Sequence, residues 1–196
     1  MQRLKVQHSV RQLIIFSMVL LLPTINAQAA DKVDDLSFQD ELLRLRLSPR
    51  TAEQMAGFFE ARGFPPVMIE ELGQYCFFTV VIKNKSDKPL WLDLREWRFY
   101  SGKQEVRRVP RNQWPPIWKK KNIPMAAQST FRWTLLPEQL DLQVDESEGG
   151  NVILERSAKH FSLEARFALG ETGQKGERLV RIDNLSCASL APAVKP

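Results

Sequence analysis

The sequence predicts a mainly β protein: an immunoglobulin-like antiparallel β-sandwich preceded by a short helical hairpin. Three observations carry that expectation. From Tyr75 onward, about seven apolar or alternating segments recur at short, turn-punctuated intervals with few helical signals between them. Residues 48–72 carry helix start and stop signals. Cys76 and Cys187 fall in the first and last of the β segments, placed to cross-link the ends of one domain.

Residues 1–30 have the parts of an export signal: Arg3, Lys5 and Arg11, then the apolar run LIIFSMVLLL, then the small residues of NAQAA. Cleavage is expected near Ala29 or Ala30. An apolar run of this length is too short to span a bilayer, which takes roughly 20 residues. No later segment is a better candidate, so the processed chain is expected to be soluble, periplasmic or secreted. No cysteine at the cleavage site suggests a lipid-modified amino terminus.

Residues 31–74 are expected to be a helical segment packed on the sandwich. In SPRTAEQMAGFFEARGFPP a helix starts either at Ser48 with Pro49 in its first turn, or at Thr51 with Gln54 completing a capping box. Gly63 offers the left-handed residue that ends it. Pro66 opens a second short helix whose Met68, Ile69 and Leu72 make one apolar face.

Residues 75–188 are the expected sandwich. In YCFFTVVIK, Cys76, Phe78, Val80 and Ile82 point one way, so Cys76 faces inward. In LWLDLREWRFY the apolar phase shifts from Leu90, Leu92 and Leu94 to Trp97 and Phe99, which requires an irregularity near Arg95 and Glu96. QEVRRV reads as a charged edge strand, STFRWTLL as a half-buried strand, and NVILE, HFSLEARFAL and ERLVRIDNLSC complete the set. Residues 189–196 are a Pro/Ala tail expected to be disordered. An oxidising compartment favours a Cys76–Cys187 disulfide.

The run RGFPPVMIEELGQYCFFTVVIKNKSDKPLWLDL, with FRWTLLPE and EGGNVIL, resembles a group of exported bacterial proteins of unassigned activity. The resemblance covers most of the chain after residue 30. It implies a bacterial envelope location and carries over no functional residue. In that setting the sequons at Asn84 and Asn184 are chance matches.

Chemistry-bearing motifs are sparse. Outside the signal, His160 is the one histidine, and it has no nucleophile motif beside it. The expected assignment is no catalytic residue, no cofactor and no metal ligand set. Carboxylates can still meet in space. Asp93 and Glu96, sharing a strand with Trp91 and Trp97, support an alternative reading as a carbohydrate-binding protein or envelope hydrolase, and Asp145, Glu146 and Glu148 crowd one loop.

Charge is the stronger signal. The chain carries a net +5, and removal of residues 1–30 leaves 25 basic against 23 acidic side chains. Residues 103–121 alone hold seven basic side chains against Glu105, so the rest of the processed chain is net negative. The expected function is a non-enzymatic envelope module that binds a protein partner or an anionic surface through Arg107, Arg108, Arg111, Trp114, Trp118, Lys119, Lys120 and Lys121. Nucleic acid fits the charge but not the compartment. For Trp114 and Trp118 two placements stand: an exposed contact, or a connection whose rings fold back onto the core.

Overall fold

The computed structural model describes residues 36–157, 159–170 and 176–188. The expected export signal, its cleavage region and the 189–196 tail lie outside them. The protein is mainly β, with antiparallel sheets.

The described residues open with two strands where a helical segment was expected. β1 (Leu36–Gln39) and β2 (Leu43–Arg50) form a hairpin, with Phe38 opposite Leu45. The cause is the alternation in LRLRL: Leu43, Leu45 and Leu47 are wholly buried while Arg44 and Arg46 face out, a period of two that no helix can satisfy. Each buried leucine contributes roughly 1.5–3 kcal/mol, enough to override the helix preference of Leu and Arg. The helical pair comes afterwards. α1 (Ala52–Glu60) starts on the Thr51–Gln54 capping box, with Ser48 and Pro49 inside β2 instead, and Gly63 takes the left-handed conformation beyond its end. α2 (Pro66–Leu72) follows.

β3 (Tyr75–Asn84) lies between β2 and β8 (Ser147–Glu155), so one sheet runs β1-β2-β3-β8. The second sheet is centred on β9 (Phe161–Leu169). On one side β9 pairs with β10 (Arg178–Leu185). On the other it pairs with β4 (Leu90–Asp93) and then β5 (Arg98–Ser101), two halves of one line interrupted by a 3₁₀ turn at Leu94–Glu96. That turn is the irregularity the phase shift demands, and it lets Leu92, Leu94, Trp97 and Phe99 all enter the core. β7 (Gln139–Leu142) pairs outside β4, and β6 (Gln104–Glu105) outside β5.

The inner residues of both sheets form one core, from Leu45, Phe78 and Val152 to Leu92, Leu163 and Val180. Cys76, buried on β3, is disulfide-bonded to Cys187 just past β10, joining the two sheets with Cα atoms 5.4 Å apart. The other face of the first sheet is buried too. Phe77 and Ile153 look outward from β3 and β8 into a second cluster built by helices.

Two further expectations fail here. Only Gln104 and Glu105 of QEVRRV are strand. The chain then crosses to the other sheet, where the Val109 amide donates to the Ile153 carbonyl (2.8 Å) and the Glu155 amide to the Arg107 carbonyl (2.9 Å). FRWTLL, expected as a strand, belongs to α4 (Met125–Thr134) and the residues that follow it. Phe131, Trp133 and Leu135 also fit a period of two, but Ala127, Phe131 and Leu135 recur every four residues and all pack on the second cluster, while Trp133 is 85% exposed.

Candidate functional site

The second cluster is where side chains between Val109 and Leu135 meet the first sheet. α3 (Trp114–Lys120) begins on the two prolines, whose missing amides would be unpaired in a first turn anyway, and Lys119 and Lys120 sit in its last turn, where cations suit the carbonyl end. Trp114 and Trp118, one helical turn apart, stack with centroids 5.1 Å apart, and each meets Phe131 edge-on at 4.9 and 5.3 Å. Both are almost fully buried. They belong to the core and not to an exposed surface, and they line the concavity between α3 and α4.

The cations of the stretch do not form one patch. Arg107 pairs with Glu155 (3.0 Å), and Lys121 with Glu71 (3.0 Å). Arg108 grips Glu138 through two hydrogen bonds of 3.0 and 2.7 Å, and the same carboxylate accepts the Arg111 backbone amide at 2.7 Å. These three cations have local partners. Lys119 and Lys120 are exposed, and their side chains make no hydrogen bond or ion pair.

Arg111 is different. Its guanidinium donates to the Leu135 carbonyl, but its Nε is buried without a partner. Burial, foremost, and the nearby charge of Arg132 hold its pKa below the ordinary value, with Glu138 opposing. Arg132, on α4, makes no hydrogen bond or ion pair with its side chain. Arg111 and Arg132 thus share one neighbourhood, with Glu138 as the opposing charge. The indole N–H groups of Trp114 and Trp118 are likewise buried and unpaired, a state that costs about 1–3 kcal/mol per donor.

Two concavities adjoin at these residues. One, about 230 Å³, lies between α3 and α4 against Trp114, Trp118, Met125, Phe131 and Leu135. The other, about 730 Å³, is a groove bordered by Arg95, Arg108, Arg111 and Arg132, with Glu138 as its one acidic residue. Arg111, Pro115 and Arg132 border both. The apolar space thus has a cationic mouth. Sequence reasoning missed Arg132 and Met125, because reading 129–136 as a strand hid the stripe of Met125, Gln128, Ser129 and Arg132 at helical spacing.

The remaining candidates have structural employment. Asp93 accepts from the Arg95 amide (2.8 Å), the Arg95 guanidinium and Gln139 Nε2 (2.9 Å). Those Arg95 hydrogen bonds, with help from Gln139 and against burial, hold its pKa down to about 2. Glu96 accepts the Gly176 amide at 3.0 Å, and Trp97 is in the core. Glu146 accepts the Gln143 amide in its turn, Glu148 accepts the Gly149 amide within β8, and Asp145 lies 3.7 Å from Lys83. His160 is exposed at the start of β9. Among the described residues no three His, Cys, Asp or Glu side chains are grouped to hold a metal ion, and no helix is long and apolar enough to cross a membrane. Asn84 is wholly buried, donating to the carbonyls of Lys88, Leu142 and Gln143 and accepting from Ser86, so this sequon is a folded-state fastener.

No protein-family model and no curated protein sequence matches the chain. Among solved structures, the ycdA protein of Bacillus subtilis, a candidate lipoprotein, is similar at 14% identity and a TM-score of 0.41, over 77% of this chain and 39% of its own. The yjhA protein of Bacillus subtilis is similar at 10% identity and a TM-score of 0.39, over 66% of this chain and 76% of its own. The chain spans well under half the length of the first. Likeness at this level bears on neither fold nor function.

Proposed function

We propose that this protein is a non-enzymatic binding module exported to the bacterial envelope, and that it holds an anionic surface, or the acidic face of a protein partner, through the α3–α4 face and the groove beside it. The observation that carries the proposal is the pair Arg111 and Arg132, neither in a salt bridge, bordering an apolar concavity, with Lys119 and Lys120 exposed on the adjoining helix. Exposed Trp133 and Met125 add apolar ground beside those charges, a combination suited to an interface. The disulfide supports export, since such bonds persist in oxidising compartments. The immunoglobulin-like assignment of the β core is part of the same proposal. What supports it is one core shared by two antiparallel sheets and a disulfide between them.

Co-sedimentation with phosphatidylglycerol vesicles, against neutral phosphatidylcholine vesicles, tests the binding. Retention on the anionic vesicles should exceed that on the neutral ones, fall with added salt, and drop at least tenfold when Lys119, Lys120 and Arg132 are all changed to Glu, with circular dichroism unchanged. Equal retention on both vesicles, or retention indifferent to the three substitutions, refutes the assignment.

A further inference from the structure

We infer that the concavity between α3 and α4 is a binding site for a single-chain anionic amphiphile, its apolar end against Trp114, Trp118 and Phe131 and its anionic head on Arg111 and Arg132. The inference rests on the binding face proposed above and deepens it from a surface to a discrete site.

The volume sets the size of the apolar part. A cavity of 150 Å³ is known to accept benzene, so about 230 Å³ has room for about nine carbon atoms, one short acyl chain rather than the paired long chains of a membrane lipid. The walls set its polarity. Trp118, Met125, Phe131 and Leu135 are apolar, and Gln128, which also borders the space, has its amide nitrogen committed to the Ile123 carbonyl at 2.8 Å.

The mouth sets the charge. Arg95 and Arg108 border the neighbouring groove already paired, with Asp93 and Glu138. Arg111 and Arg132 border both spaces and lack a carboxylate of their own, apart from the share of Glu138 that Arg108 leaves. A carboxylate head is an acceptor-only group that suits guanidinium donors, and both arginines border the space beside the apolar walls. Apolar walls leading to paired cations are the complement of an amphiphile with one tail and one charge.

Calorimetric titration of the full protein tests this with three probes: decanoate below its micellar concentration, decanol, which keeps the tail without the charge, and acetate, which keeps the charge without the tail. Decanoate is expected to bind saturably, one per chain, at least tenfold more tightly than either of the others. Ser129→Trp, on the exposed side of α4 bordering the concavity, should abolish decanoate binding by filling the space, and Arg132→Glu should weaken it at least tenfold. Equal binding of decanol, or decanoate binding unchanged in either variant, overturns the site. Wild-type protein that sediments with anionic vesicles but ignores decanoate overturns this inference alone, whereas protein that does neither overturns the binding face as well.

Discussion

Asp93→Asn perturbs the 3₁₀ turn that splits the β4–β5 line, and its effect can be worked from the carboxylate's surroundings. The folded-state pKa lies at about 2 against an ordinary 3.8, with the Arg95 hydrogen bonds as the largest cause. At about 1.4 kcal/mol per pH unit this shift corresponds to about 2 kcal/mol of stability. Arg95 itself is largely exposed, so solvent screening brings the figure nearer to 1 kcal/mol. The sign follows from the depression of the pKa. The contribution is complete above the unfolded value near 4 and disappears as pH falls through the folded value near 2. Asparagine has the same shape and no charge, and like the protonated acid it replaces one acceptor oxygen of the carboxylate with a donor group. Urea unfolding, followed by tryptophan fluorescence and far-ultraviolet circular dichroism, should therefore show wild type more stable than Asp93→Asn by about 1–2 kcal/mol at neutral pH. The gap should close between about pH 4 and pH 2. Equal stabilities at neutral pH, or a gap that persists undiminished at the acid end, would refute the account of Asp93.

Further outcomes are expected at three places in the fold. Intact mass with and without reductant should differ by the two hydrogens of a Cys76–Cys187 bond, with both thiols alkylatable only after reduction. Removing that bond from its 111-residue separation should lower stability by up to roughly 4–5 kcal/mol in denaturant titration. Asn84→Ala strands buried carbonyls and the Ser86 hydroxyl, so a loss of about 2–4 kcal/mol is expected at unchanged secondary structure; a loss below about 1 kcal/mol would mean water replaces the amide. Gly150→Ala would place its Cβ 2.4 Å from the Leu136 nitrogen and 2.6 Å from its Cα, atoms of backbone that cannot swing aside. A loss of at least about 2 kcal/mol should follow, and faster amide exchange at Leu136, measured by hydrogen exchange, would locate it.

How much was legible in the sequence differs between the two faces of the first sheet. The inner face was readable because Cys76, Phe78, Val80 and Ile82 alternate without exception, and the irregularity at Arg95 and Glu96 was readable because the phase of Leu90 and Leu92 fails at Trp97. The hairpin of β1 and β2 was written as plainly in LRLRL but was masked by the helix preference of its residues. α4 was ambiguous for a physical reason: a short segment with apolar residues at 131, 133 and 135 fits a strand until Trp133 is seen to be in solvent. The charged stretch was legible as composition and illegible as a site. Which of its cations are neutralised depends on Glu71, Glu138 and Glu155, all brought in from elsewhere in the chain. The cation that borders both concavities together with Arg111 lies outside the stretch, at 132.

The interruption at Leu94–Glu96 has a consequence for self-association. A single continuous line through β4 and β5 would support one long outer strand, and a long flat margin invites another chain to add itself there. Because the line is broken, its outer neighbours are two separate pieces, β7 with four residues and β6 with two. The margin of the first sheet beyond β8 is occupied as well, by bridges from Arg108 and Leu135. Along these two margins, among the described residues, an arriving strand finds only short, interrupted runs to pair with, so the same turn that seats Trp97 in the core also keeps this side of the second sheet from offering one long strand as a template.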